Sequence, residues 1–222
     1  MQVISNVQEA ILRQFPQVQE SELFYLTGGT ALAMFYLHHR KSRDLDFFTS
    51  TEEIIVPFSH RLEERLRANG MSVERQRGLR SFVELLVEQK GESTLIQLAQ
   101  DSPFRFEPPV VFQDYPDLKV DNLVDLASNK LLALFGRAAL RDFVDVYVLV
   151  QKGHSQPKEL MGRAKKKDPG FDPYWLAVAF ERIRTFREDS PEMLMLLTPI
   201  PFQELQMFFD RWRAELSSQL ES

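Results

Sequence analysis

The chain of 222 residues contains no cysteine. That excludes disulfides, thiolate metal sites and cysteine nucleophiles, and it agrees with a reducing compartment. No apolar run approaches the roughly 20 residues that span a bilayer. The first segment, MQVISNVQEAILRQF, is polar throughout and lacks the basic-then-apolar pattern of a secretory signal. The expectation is a soluble cytoplasmic protein with no membrane partner. An excess of positive charge is missing too: 27 Lys and Arg stand against 32 Asp and Glu, a formal net charge of -5. Overall charge therefore announces no nucleic-acid partner, although a local basic patch stays open. What is present is apolar. The hydrophobic fraction is 44%, with 18 Phe, enough for a substantial core. The length allows one large domain or a smaller one with a helical appendage.

Apolar spacing divides the chain. VISNVQEAILRQF repeats at helical period. SELFYLTGG reads as a short strand, Leu23 to Leu26, stopped by glycine. TALAMFYLHH follows as a short apolar helix, with Thr27 or Thr30 as its cap. RDLDFFTS alternates as a strand, and PFSHRLEERLRANG is an amphipathic helix between Pro57 and Gly70. Three strands come next, MSVERQR, RSFVELLVEQ and STLIQLAQ, with a turn at KGES. SPFRFEPPVVFQDYPD reads as a proline-rich connection, and beyond it five helical patterns follow one another. Mixed α/β thus gives way to helix near residues 118–122. The expected division is 1–117 for an α/β core and 118–222 for a C-terminal helical region.

The chemistry concentrates in LTGGTALAMFYLHHRKSRDLDFF. Gly28 and Gly29 let the backbone approach a ligand closely just before a helix, whose N-terminal N–H groups suit phosphate. The alternative is an ordinary strand-to-helix turn. About fifteen residues on, Asp44 and Asp46 share one face of a strand. Hard cations such as Mg2+ take one or two carboxylates plus substrate phosphates; the alternative is a solvated acidic face. Each signal alone is weak, but one supplies phosphate contacts and the other the metal. His38 and His39 end the helix and suggest structural or solvent-facing roles.

GGTAL followed by HHRKSRDLDFF resembles the nucleotidyltransferase motif of the AbiEii/AbiGii toxin family, within the DNA polymerase β-like superfamily. STLIQLAQDSPFRFEPP, DNLVDLASNKLLALFGRAALRDFVDVYVL and GFDPYWLAVAF resemble later segments of the same family, in the same order. The resemblance implies an α+β fold: a polymerase β-like nucleotidyltransferase core, with a mixed sheet and flanking helices, followed by a C-terminal helical bundle. It implies that Gly28, Gly29 and Thr30 hold a nucleoside triphosphate and that Asp44 and Asp46 bind Mg2+ in a two-metal site. Arg40 and Arg43 face phosphates or the acceptor strand. Lys130 contacts nucleotide phosphate, and Arg141, Asp142 and Asp145 match a Lys-Asp-X-X-Asp motif in which Arg141 replaces the lysine. On spacing alone Lys130 is a solvated helix lysine, and Arg141 to Asp145 a local ion pair worth a few tenths of a kcal/mol.

One departure matters. The third carboxylate that the superfamily often carries on a later strand falls on Gln97. A glutamine cannot act as a general base at neutral pH. Asp101 and Glu84 are substitutes. Three readings follow. The first is an enzyme moving a nucleoside monophosphate from a nucleoside triphosphate to RNA, tRNA or protein, as a toxin with a cognate antitoxin. The second is a degenerate nucleotide-binding module. The third is an interaction protein using RAKKK and FERIRTFR, charges that are more often a solvated helix face.

Overall fold

The computed structural model describes residues 2–220. These fall into two compact units, Met1–Leu123 and Val124–Ser222.

The first unit is built on a seven-stranded sheet of order β3-β4-β5-β2-β1-β7-β6. Its strands are β1 (Tyr25–Thr27), β2 (Asp44–Thr49), β3 (Ser72–Leu79), β4 (Phe82–Gln89), β5 (Glu92–Gln100), β6 (Val110–Phe112) and β7 (Tyr115–Val120). Two pairings, β2 with β5 and β1 with β7, are parallel; the others are antiparallel. Lys90 and Gly91 join β4 to β5, both at positive φ, as a two-residue hairpin turn requires.

One face of the sheet is apolar. Leu45 and Phe47 of β2, Ile96 and Leu98 of β5, and Val83, Leu85 and Val87 of β4 are buried. Helices α1 (Asn6–Gln14) and α3 (Ile55–Ala68) cover strands of this sheet. A capping box opens α1: Ser5 accepts from Gln8 N–H while the Gln8 side chain accepts from Ser5 N–H. Phe15 stacks on Phe47 at 3.7 Å between ring centroids, and Phe24 on Phe58 at 4.2 Å. These fully buried rings fix the back of β2, so its alternate residues must face the other way.

The helix after β1 begins earlier than TALAMFYLHH suggests. Gly28, at φ +71°, turns the chain directly out of the strand, and α2 runs Gly28–Leu32. A single π-helical turn, Ala33–Leu37, follows and is closed by His38 in the left-handed region. Such wide turns are frequent at functional sites.

The second unit is helical: α4 (Leu123–Arg137), α5 (Leu140–Gln151), α6 (Pro157–Lys167), α7 (Pro173–Glu181) and α8 (Phe202–Leu220). Its core gathers Phe143, Phe180, Phe209 and Trp212, with Phe143 edge-on to Phe209 at 4.9 Å. No helix among the described residues is long and apolar enough to cross a membrane.

Candidate active site

The period of β2 separates its side chains. Leu45, Phe47 and Thr49 are buried on one face; Asp44, Asp46 and Phe48 stand half-buried on the other. Asp46 lies opposite Thr27 of β1 on one side and Gln97 of β5 on the other. Gln97 lies opposite Glu84 of β4, and Glu84 opposite Arg77 of β3. One polar row therefore crosses five strands: Thr27, Asp46, Gln97, Glu84, Arg77. Gln97 Nε2 donates to Glu84 Oε2 at 3.0 Å, and Arg77 Nε stands 3.7 Å from the other Glu84 oxygen. Gln97 thus faces the same side of the sheet as Asp46, where the missing third carboxylate was expected.

A side chain at either glycine would meet its neighbours, and Gly28 also sits at a positive φ. A Cβ on Gly28 would lie 2.9 Å from Asp46 Cγ and closer still to Oδ2. A Cβ on Gly29 would lie 2.7 Å from Arg40 Nη2 and 3.3 Å from Ser42 Oγ. The Asp46 carboxylate and the buried Arg40 guanidinium therefore press directly on the two-glycine turn. Thr30 is fully buried and its hydroxyl donates to the Asp44 carbonyl. It ties the first turn of α2 to β2. Arg43 is exposed, and its carbonyl accepts from Thr94 Oγ1 at 2.6 Å. Of the two arginines, Arg40 is the one against the turn.

Gly28→Ala places a methyl group both at a positive φ and inside the Asp46 contact. We expect it to cost about 1–3 kcal/mol and to displace the carboxylate. Urea denaturation measures the first effect and Mg2+-dependent nucleotide binding the second.

Four residues at this face escaped the sequence reading as a group. Asp121, fully buried after β7, accepts from Thr27 Oγ1 at 2.7 Å and pairs with Arg105. Arg105 lies 4.1 Å over the Tyr25 ring, whose hydroxyl donates to Asp101. Burial, then that hydrogen bond, holds the Tyr25 phenol far above its ordinary pKa, so it stays a neutral donor. Asp101, one of the two candidate substitutes for the third acid, is thereby committed to Tyr25. Glu84, the other, lies in the polar row one strand beyond Gln97.

The donor set fits a hard cation. Among the described residues no three His, Cys, Asp or Glu side chains are grouped for a metal. Two strand carboxylates that need substrate oxygens to complete a coordination shell are what Mg2+ takes.

Lys130, Asp142 and Asp145 come together inside the second unit. Lys130 of α4 is buried, with Nζ 2.8 Å from Asp145 Oδ2 and 4.0 Å from Asp142 Oδ1. Both aspartates, one helical turn apart on α5, are fully buried. Arg137 adds a two-pronged contact to Asp142, with Nε and Nη2 at 2.8 and 2.9 Å. Lys130 is no solvated helix lysine. Arg141 is exposed, so the arginine that meets the motif's first aspartate is Arg137.

A mixed sheet with flanking helices, in which a two-glycine turn abuts an Asp-X-Asp strand, is the core that the resemblance implied. Two solved structures from Helicobacter pylori are similar in fold. One, described as a candidate nucleotidyltransferase, has a TM-score of 0.62 at 19% identity, over 97% of this chain and 93% of the other. The second, JHP933, has a TM-score of 0.57 at 19% identity, over 97% and 92%. An uncharacterised protein of Aquifex aeolicus strain VF5 is 31% identical over 195 residues, 85% of each chain. The family described as nucleotidyl transferase AbiEii toxin, of type IV toxin–antitoxin systems, matches residues 10–221. The chain belongs to that family.

Proposed function

We propose that this protein is an Mg2+-dependent nucleotidyltransferase that moves a nucleoside monophosphate from a nucleoside triphosphate to an RNA hydroxyl, tRNA included, as the toxin of a toxin–antitoxin pair. The observation that carries the reading is the contact of the Asp46 carboxylate with Gly28. It supports the reading because an anionic oxygen lies beside a backbone turn of the kind that suits phosphate.

Asp44 and Asp46 would hold Mg2+, which when bound neutralises phosphate charge and polarises the reacting phosphorus. The Gly28-Gly29 backbone receives the triphosphate, and Arg40 adds positive charge beside Gly29. Asp142 and Asp145 hold the Lys130 ammonium within the second unit. In the reaction the acceptor oxygen bonds to the α-phosphorus and the bond to the β-phosphate bridging oxygen breaks. Pyrophosphate leaves, and the hydroxyl proton passes to a carboxylate of this face or to solvent.

Purified protein, Mg2+, each α-labelled nucleoside triphosphate and total RNA make the test. Label in RNA supports the reading; label in protein alone, or in neither, opposes it. The second reading, a nucleotide-binding module without turnover, is favoured by one observation: an amide, Gln97, fills the register beside Asp46.

That pair can be exchanged. Gln97→Asp with Glu84→Gln keeps an amide–carboxylate hydrogen bond and moves the acid one strand nearer Asp46. Incorporation is expected to rise, within the range of about 10²–10⁴-fold that general-base assistance supplies. Gln97→Asp alone lines up three carboxylates and gains less. Rates no different from wild type in both variants would show that Asp44 and Asp46 suffice.

A further inference from the structure

Helix α7 carries its apolar residues on both sides. Leu176, Ala177 and Phe180 are buried in the second unit. Tyr174, Trp175 and Val178 point outward at 54%, 59% and 42% exposure. A helix needs only one apolar stripe to pack, so the outer one is unexplained by folding. Tyr174 and Trp175 meet edge to face with ring centroids 5.1 Å apart, which leaves ring faces open to solvent. The Asp172 carboxylate caps the helix by accepting from both of their N–H groups, and so fixes where the two side chains start.

The surroundings are basic. From residue 157 to 185 the sequence has seven Lys and Arg against four Asp and Glu, in a chain whose formal net charge is -5. Lys167 is drawn inward to Asp125. Lys165 and Lys166, at the end of α6, are exposed. Lys165 Nζ donates to the carbonyls of Pro169 and Phe171 at 2.8 Å each, which holds the C-terminus of α6 against the loop that leads into α7. Beyond the aromatic pair, Arg182 caps the C-terminus of α7 and is exposed, while the exposed Glu181 before it pairs with Arg213. Lys165 is thus anchored at the loop that enters α7, and Arg182 stands at the other end of the helix.

We propose that Tyr174 and Trp175, flanked by Lys165, Lys166 and Arg182, form a stacking platform for single-stranded RNA, the acceptor. The proposal rests on the RNA-acceptor reading above. Every base offers a face to an aromatic ring, and cations beside the ring meet the phosphates. A protein partner also uses Trp and Tyr, but the core of such an interface is depleted of charge, whereas this stripe is interleaved with it.

The two tryptophans make the test direct. Trp212 is 3% exposed and packs against Phe180 and Phe209, so only Trp175 can be quenched by stacking. Wild type is titrated with an unstructured single-stranded RNA oligonucleotide, and tryptophan fluorescence and Kd are followed. Quenching is expected in wild type and not in Trp175→Ala, whose RNA affinity falls by about 5-fold or more. Trp175→Phe retains most of the affinity. Lys166→Gln lowers the salt slope of binding by about one. In turnover the Trp175→Ala defect falls on KM for RNA. Equal binding and equal KM in Trp175→Ala and wild type, with RNA still labelled, would overturn the platform and leave the RNA-acceptor reading standing. No RNA binding by wild type, with label found only in protein, would remove both. A Trp175→Ala variant that binds RNA normally but loses a protein partner would make the patch a protein-docking site, against this proposal.

Discussion

Asp46→Asn is expected to lower nucleotidyl transfer by at least about 10²–10³-fold, the scale of losing one preorganised charge contact to a transferring phosphoryl group. Asn has the shape of Asp and no charge. The change removes an anionic oxygen from the half-buried face of β2 and leaves the apolar face, with Leu45 and Phe47, untouched. The melting curve should therefore change little. Calorimetry with Mg2+ and each triphosphate should show weakened binding, because Asp46 would be one of the oxygen groups that hold the ion with the substrate phosphates. Unchanged binding with an unchanged melting curve would mean that Asp46 is not a ligand.

Lys130→Ala is expected to destabilise the second unit strongly. It removes the ammonium 2.8 Å from Asp145 Oδ2, and the Asp145 carboxylate is fully buried. Taking one partner from a buried ion pair costs about 3–5 kcal/mol, because the other is left charged without it. Asp142 keeps the Arg137 fork and should suffer less. Asp145→Ala placed on Lys130→Ala should recover part of the loss, so the double variant is more stable than the sum of the singles. Guanidinium denaturation of the four proteins reads this directly. A Lys130→Ala midpoint equal to wild type would contradict the buried pairing.

How much of this could be read in the sequence depends on range. Alternation in RDLDFFTS was enough to put Asp44 and Asp46 on one face, because Leu45 and Phe47 bury the other. The same logic put Gln97 on the polar face of β5, with Leu95 and Ala99. The Gly-Gly turn was legible as a turn. Its cause was not, since the Asp46 and Arg40 contacts come from residues 18 and 11 positions away. Strands β6 and β7 were hidden in the proline-rich connection: Pro108, Pro109 and Pro116 punctuate it, and only Leu118 and Val120 of β7 are buried. What makes β7 a strand is its pairing with β6 on one side and with β1, far off in sequence, on the other. Asp121 was missed for the same reason, because its partners Thr27 and Arg105 lie far off in sequence. Lys130 carried a faint signal. Two acids three residues apart on the next helix are a natural counter-charge for an inward lysine.

The central claim concerns which phosphorus is attacked. Wild-type protein, Mg2+ and RNA should be incubated in parallel with the same nucleoside triphosphate labelled at the α- or the γ-phosphate. Transfer as proposed puts the α label into RNA and releases the γ label as pyrophosphate, mole for mole, with both lost on removal of Mg2+ and in Asp46→Asn. Label from the γ-phosphate in RNA, with none from the α-phosphate, would make the reaction phosphorylation and contradict the account.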